Sequence, residues 1–166
     1  MEFKELKKAL AAEAKAAGIC SEWYDKILTA TTKERLIALY FGGFDFVEEN
    51  DFPSEPLRRE FDDIRRHYNV YEAEAFSTKN PRRLVAYTGA HGTAEYSNFA
   101  AAQLWARPGA EVHVKASGNA VVTVYVATGA KVDITASENA RVIAFLHGGE
   151  LTQNTEGNAV IKIKNK

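Results

Sequence analysis

Ala110-Glu-Val-His-Val-Lys-Ala, Ala120-Val-Val-Thr-Val-Tyr-Val, Ala130-Lys-Val-Asp-Ile-Thr-Ala and Ala140-Arg-Val-Ile-Ala-Phe-Leu align without a gap. Each unit alternates small or branched apolar residues with variable ones, which is the two-residue period of a strand with one buried face. The even-numbered set is uniformly apolar: Val112, Val114, Ala116, Val122, Val124, Val126, Val132, Ile134, Ala136, Val142, Ala144 and Leu146. Between the units, Gly-Ala stands at 89, 109 and 129 while Asn-Ala stands at 119 and 139, so the true repeat is twenty residues with two different corners. Gly and Asn both tolerate the positive φ of a tight corner, which places the turns at these residues.

A repeat of two short strands and two corners predicts a β-solenoid, whose coils stack at roughly 4.8 Å and whose narrow interior needs small apolar side chains. One residue is missing between 150 and 158, after which Asn158-Ala-Val-Ile-Lys-Ile restores the rhythm. About four coils are expected. An antiparallel meander covered by helices would give the same period and stands as the alternative.

Outward residues fall on two walls. One carries Glu111, His113, Lys115, Lys131, Asp133 and Thr135, an ordinary solvated surface. The other carries Trp105, Tyr125 and Phe145 one coil apart, beside Val121, Thr123, Ile143, Val160 and Arg141. An apolar column of that size needs a reason to face outward. The N-terminal helices could cover it; a partner or a second copy could dock there, with Trp, Tyr and Arg as the usual anchors; or the rings could form a platform for a sugar or a base. Trp105, Tyr125, Phe145, Arg141 and Ile143 are therefore the candidate binding residues.

Working back towards the N-terminus, residues 3 to 17 read as an amphipathic helix with Phe3, Leu6 and Leu10 on one face and Gly18 as C-cap. Ser21 opens a second helix with Trp23, Tyr24, Ile27 and Leu28 as its apolar face. Thr31 with Glu34 makes a capping-box pattern ahead of a third, which Gly42-Gly43 ends. Phe44, Phe46 and Val47 follow, and Ser54 with Pro56 predicts a fourth helix running to about Tyr68. Its arginines alternate with acids, the pattern of a solvated face. Asn69 to Phe76 reads as irregular and Ser77 to Arg83 as a linker, giving a helical domain 1–76, a linker 77–83 and a repeat domain 84–166.

Composition narrows the function classes. The 21 Lys and Arg nearly balance 22 Asp and Glu, so no uniform field attracts or imitates nucleic acid. One cysteine, Cys20, excludes an internal disulfide and a multi-cysteine zinc site, and reads as a buried helix residue. Met1 to Gly18 lacks the apolar run of a signal peptide, and no stretch is long and apolar enough to span a membrane, which predicts a cytoplasmic setting. His113 beside Asp133, and His91 in file with Glu111 and Lys131, could pass for an acid/base pair or a metal site. On an open sheet such columns read as cross-strand links, so catalytic residues, metal and cofactor are each expected to be none. His147-Gly148-Gly149 lacks the strand-to-helix setting of a phosphate loop.

The segment Ala30-Thr-Thr-Lys-Glu-Arg-Leu-Ile-Ala-Leu-Tyr, Phe44-Asp-Phe, Asn50-Asp-Phe-Pro-Ser, the Arg59 to Tyr71 stretch with Tyr68-Asn-Val-Tyr, and Asn80-Pro ahead of the repeats resemble a group of proteins from gut Bacteroidales genomes and their phages and mobile elements. The resemblance covers nearly the full length and carries over no catalytic residue. It implies a small accessory protein. Together with the repeat it leads to an α+β protein that binds rather than catalyses. The expected role is a phage or mobile-element factor, oligomeric, that binds a bacterial protein and inhibits host defence. The alternative is a carbohydrate- or nucleotide-binding module using the aromatic wall.

Overall fold

A computed structural model describes all residues, 1–166, and divides them into two compact units, Met1–Arg66 and His67–Lys166.

The first unit is helical. In α1 (Phe3–Ala16), Leu6, Leu10, Ala11 and Ala14 recur at helical spacing and are buried. Gly18 ends it at φ 91, donating to Lys15 O while Ile19 N donates to Ala14 O, the paired bonds of a Schellman cap. Lys7 reaches from α1 to the carbonyls of Leu28 and Ala30, satisfying the end of α2 (Ser21–Thr29). Helix α3 (Lys33–Gly42) is capped by Thr32, whose Oγ1 accepts from Arg35 N at 3.2 Å. The cap thus lies one residue beyond the expected Thr31. Gly42 and Gly43 leave room for the Trp23 ring, which a Cβ on Gly42 would meet at 3.3 Å.

Phe44 to Asn50 form a further helix, α4 (Phe44–Asn50), whose Phe44 joins Tyr40 and Phe41 in an aromatic cluster. The long fourth helix expected from Ser54 to Tyr68 is instead a single turn, α5 (Glu55–Arg59), followed by turns and a 3-10 turn over Arg65–Tyr68. Tertiary bonds divert it: Lys33 Nζ takes the Glu60 carbonyl and the Asp63 carboxylate. Ser54 donates its own N–H and hydroxyl to Glu13 of α1 and makes no side-chain cap. Cys20 is exposed, not buried, because it occupies the extended N-cap position of α2, off the apolar stripe.

The second unit is a parallel β-solenoid. Strands β1 (Val70–Tyr71), β3 (Arg83–Ala86), β5 (Ala101–Ala106), β7 (Val121–Ala127), β9 (Arg141–His147) and β11 (Val160–Asn165) form one sheet in that order. Strands β2 (Ala75–Lys79), β4 (His91–Tyr96), β6 (Glu111–Ala116), β8 (Lys131–Ala136) and β10 (Glu150–Thr155) form the other. Every ladder between these strands is parallel, which disposes of the antiparallel meander.

The solenoid has about five coils, not four, and begins at Val70. Ser77 to Lys79, expected in a linker, are the second half of β2. Central coils pair residues twenty apart, as Glu111 with Lys131 and Val121 with Arg141. The first coil is shorter, with Ala75 opposite His91 and Val70 opposite Val85, so its residues fall out of phase with the repeat.

Eleven of the twelve even-numbered interior residues from Val112 to Ala144 are buried, and the twelfth, Leu146, is partly buried against them. At the first coil the small-residue filling gives way to rings: Tyr71 stacks on Phe76 at 4.5 Å, and Tyr96 is fully buried beyond them. Phe76 pairs with Gly92, whose added Cβ would lie 2.8 Å from the Phe76 ring and 2.0 Å from its carbonyl oxygen. Glycine there is what lets an aromatic replace the valine of the later coils.

The corners differ from expectation in one detail. Gly89, Gly109 and Gly129 do take positive φ, but in the alternate corners the left-handed residue is Asn98, Gly118, Glu138 or Gly157, one place ahead of the expected Asn119 and Asn139. Those asparagines instead carry the stacking bond, Asn119 N donating to Asn98 O and Asn139 N to Gly118 O. The missing residue, expected between 150 and 158, is lost earlier, in the first kind of corner, where Gly148-Gly149 replaces Thr128-Gly129-Ala130, so that Glu150 already pairs with Lys131. A Cβ on Gly149 would meet Ala127 O at 2.5 Å, so only glycine closes the shortened turn.

Candidate functional site

The register of the six-stranded sheet brings the predicted residues together on its outer face. Trp105 pairs with Tyr125 and Tyr125 with Phe145; Val121 pairs with Arg141, and Thr123 with Ile143. The three rings stack in file, Trp105 on Tyr125 at 5.4 Å with planes 7° apart, and Tyr125 on Phe145 at 5.2 Å and 13°. Offset stacking of this kind contributes about 0.5–1.5 kcal/mol per pair beyond the area it buries.

Exposure is graded along the file. Val85, one coil before Trp105, is fully buried and Trp105 is 5% exposed, whereas Tyr125, Ile143 and Phe145 are half-buried. Val121 and Val160, beside Arg141 in the neighbouring file, are 44% and 42% exposed. The surface open to solvent is therefore centred on Tyr125, Ile143 and Phe145, with Trp105 as its buried root.

A ring has two faces, and those in this column are largely taken. Tyr125 lies between Trp105 and Phe145, Trp105 is buried, and the ammonium groups of Lys166 and Lys164 lie 4.6 Å and 5.7 Å from the Phe145 centroid. Charge on this wall is one-sided. Arg141, Lys162 and Lys164 point outward from β9 and β11, and no Asp or Glu occupies an outward position on β3, β5, β7, β9 or β11. The near-neutral total concealed this, because the balancing acids lie in the N-terminal unit, on the other sheet and in the corners.

The five-stranded sheet presents the mixed wall. His113 Nε2 is 3.3 Å from Asp133 Oδ2 and 3.3 Å from Thr135 Oγ1, while Thr152 donates to Asp133 Oδ1 at 2.6 Å. His91, Glu111 and Lys131 stand in register, as do Lys79, Glu95 and Lys115. A shallow recess of about 350 Å³ along the second file is lined by Lys79, Glu95, Lys115 and Thr135 with Ser97, Ser117 and Ser137. These are neighbours of alternating sign on an open sheet, and no three His, Cys, Asp or Glu side chains converge as metal ligands. The arginines of residues 58–66 also engage locally: Arg58 with Pro53 O, Arg59 with Glu55 and Arg65 with Asp62. No helix is long and apolar enough to cross a membrane.

Sequence spacing found the aromatic file but missed Lys164 and Lys166, although Ile161-Lys-Ile-Lys alternates as the earlier strands do. The one-residue deletion shifts the repeat numbering, so the continuation of the file had to be counted across the shortened corner. No protein-family model matches the chain, and no curated protein or solved structure is similar to it.

Proposed function

We propose that this is a non-catalytic interaction protein whose contact surface is the outer face of the six-stranded sheet around Tyr125, Ile143, Phe145 and Arg141. The observation that carries the reading is the half-buried apolar file with its cationic border and no acidic residue. Partly exposed aromatics beside arginine make the anchors of a protein interface. A sugar or a base would need a free ring face, and the stack together with Lys164 and Lys166 occupies those faces, so a protein partner fits better than a planar ligand. A second copy placed face to face would set Arg141, Lys162 and Lys164 against their equivalents, which favours a different, acidic partner.

The resemblance to Bacteroidales phage and mobile-element proteins supports a bacterial protein as that partner, with interference in host defence as the role. The test is affinity capture from a Bacteroidales lysate with three proteins: wild type, Tyr125→Glu with Arg141→Glu, and His113→Ala. A protein retained by wild type and by His113→Ala but lost from the double variant supports the reading. Equal retention by the double variant, with its circular dichroism unchanged, counts against it.

A further inference from the structure

We propose that β11 is a docking edge that takes up an extended acidic segment of a partner protein as an added strand. This goes beyond the reading of the outer face, since it uses the edge of the sheet and would stand if the face proved inert.

Strand β11 ends the six-stranded sheet and pairs only with β9. Val160 N donates to Ala140 O and Lys166 N to Leu146 O, so the even-numbered residues bond inward to β9. Backbone groups alternate sides along a strand, and those of Ile161, Ile163 and Asn165 therefore point to the open edge. The apolar interior is also unfinished there. Ile161 and Ile163 continue the buried file of Val142 and Ala144, yet Ile163 is 38% exposed. Strand β10, the matching edge of the other sheet, closes differently: its interior positions after Leu151 are Gln153 and Thr155, opposite Ile134 and Ala136. Polar residues terminate one wall, and isoleucines leave the other open.

Charge selects the occupant. Lys162 and Lys164 point outward along β11 and Lys166 follows them, with no acid beside them. An added strand would need carboxylates on its outward side, above the lysines, and branched apolar residues on its inward side, over Ile161 and Ile163. A second copy of β11 would set lysine against lysine, which opposes self-pairing. A nucleic acid would meet the lysines but leave the isoleucines uncovered.

The test uses the full chain and labelled ten-residue peptides of alternating Glu and Val, or of alternating Lys and Val, followed by fluorescence anisotropy. The acidic peptide should bind and the basic one should not. Since only every second peptide amide faces β11, N-methylation of either the Glu or the Val amides, but not of both sets equally, should weaken binding about tenfold or more. In hydrogen exchange the amides of Ile161, Ile163 and Asn165 should gain protection on binding, while those of Lys162 and Lys164 change little. The variant Lys162→Glu, Lys164→Glu, Lys166→Glu, checked for folding by circular dichroism, should reverse the preference to the basic peptide. Ile163→Ser should weaken the acidic peptide with the lysines intact. Absence of binding at millimolar peptide would overturn the proposal, as would binding that leaves those three amides unprotected or ignores the charge reversal. Sedimentation showing a dimer paired through β11, or a single-stranded oligonucleotide outcompeting the peptide, would overturn it too.

Discussion

Glu138 holds φ 57 in a corner where the equivalent residues of the other coils are Asn98, Gly118 and Gly157. A left-handed conformation crowds Cβ against the following carbonyl, at about 1–2 kcal/mol for a residue such as Glu. Glycine relieves the crowding but is freer in the unfolded chain, which returns part of the gain. Glu138→Gly should therefore stabilise the protein by about 0.5–1 kcal/mol, read as a rise of a few degrees in melting temperature; an unchanged or lower value would remove the strain argument. Tyr96 poses the converse case inside the first coils. Its ring is fully buried and its hydroxyl has no hydrogen-bond partner. Burial, with a smaller contribution from Tyr71, raises the phenol well above its ordinary pKa near 10. The hydroxyl contributes desolvation cost without a bond, so Tyr96→Phe should be neutral or stabilising by about 1 kcal/mol. The sign with pH follows from the raised value: the unfolded chain ionises first, so stability falls as pH climbs past about 10. Denaturant midpoints of wild type and Tyr96→Phe measured from pH 8 to 11 should diverge above 10, the variant declining less.

At the scale of elements, side chains from neighbouring helices reshape a segment that sequence alone would continue. Lys33 binds the Glu60 carbonyl and the Asp63 carboxylate, and Glu13 binds Ser54. The Lys33 hydrogen bond holds Asp63 below the ordinary carboxylate range. A depressed folded-state pKa gives stability that is present above the unfolded value, about 3.9, and is lost as pH falls through the folded one. The stability difference between wild type and Lys33→Met should accordingly be largest near neutral pH and shrink below pH 4. It should stay modest throughout, since Asp63 is exposed and solvent screens the pair. A difference independent of pH would mean that Lys33 acts through the Glu60 carbonyl alone. These bonds also explain what the sequence could not show. The stretch from Ser54 to Tyr68 has the apolar spacing of one helix, but a lysine nearly thirty residues earlier captures the carbonyl at the break. Likewise, β1 and β2 lack the valine alternation because Tyr71 and Phe76 fill the first coil, and their shorter register carries no twenty-residue mark. By contrast, the coils from Ala110 to Leu146 were readable residue by residue, since a strict two-residue period inside a strict twenty-residue one leaves a single consistent set of inward positions. The aromatic file was readable for the same reason. Its burial gradient was not, because exposure depends on three-dimensional neighbours that spacing does not encode.

For the molecule as a whole, the governing quantity is the repeat length. Each central coil pairs its strands only with those of the coils before and after it, so stability should behave as a sum of coils and interfaces, and one coil should be removable. Deleting residues 110–129 joins Gly109 to Ala130 and takes out β6 and β7 together. The junction keeps the Gly-Ala corner, β4 then faces β8, β5 faces β9, and Trp105 comes into line with Phe145. Interior partners stay apolar throughout, for example Ala94 opposite Ile134 and Leu104 opposite Ala144. The shortened chain should fold with the same strand-rich circular dichroism, a lower melting temperature and a smaller denaturant slope, in proportion to the surface it no longer buries. Deleting residues 110–128 instead, one fewer, adds a residue to the corner or shifts every later side chain to the opposite face of its strand. The first outcome strains one turn and the second buries Lys131, Asp133 and Arg141 in the interior. The nineteen-residue deletion should thus be markedly less stable than the twenty-residue one although it removes less protein. Equal stability of the two would show that the corners absorb register errors, and that the periodicity of the interior does not set the fold.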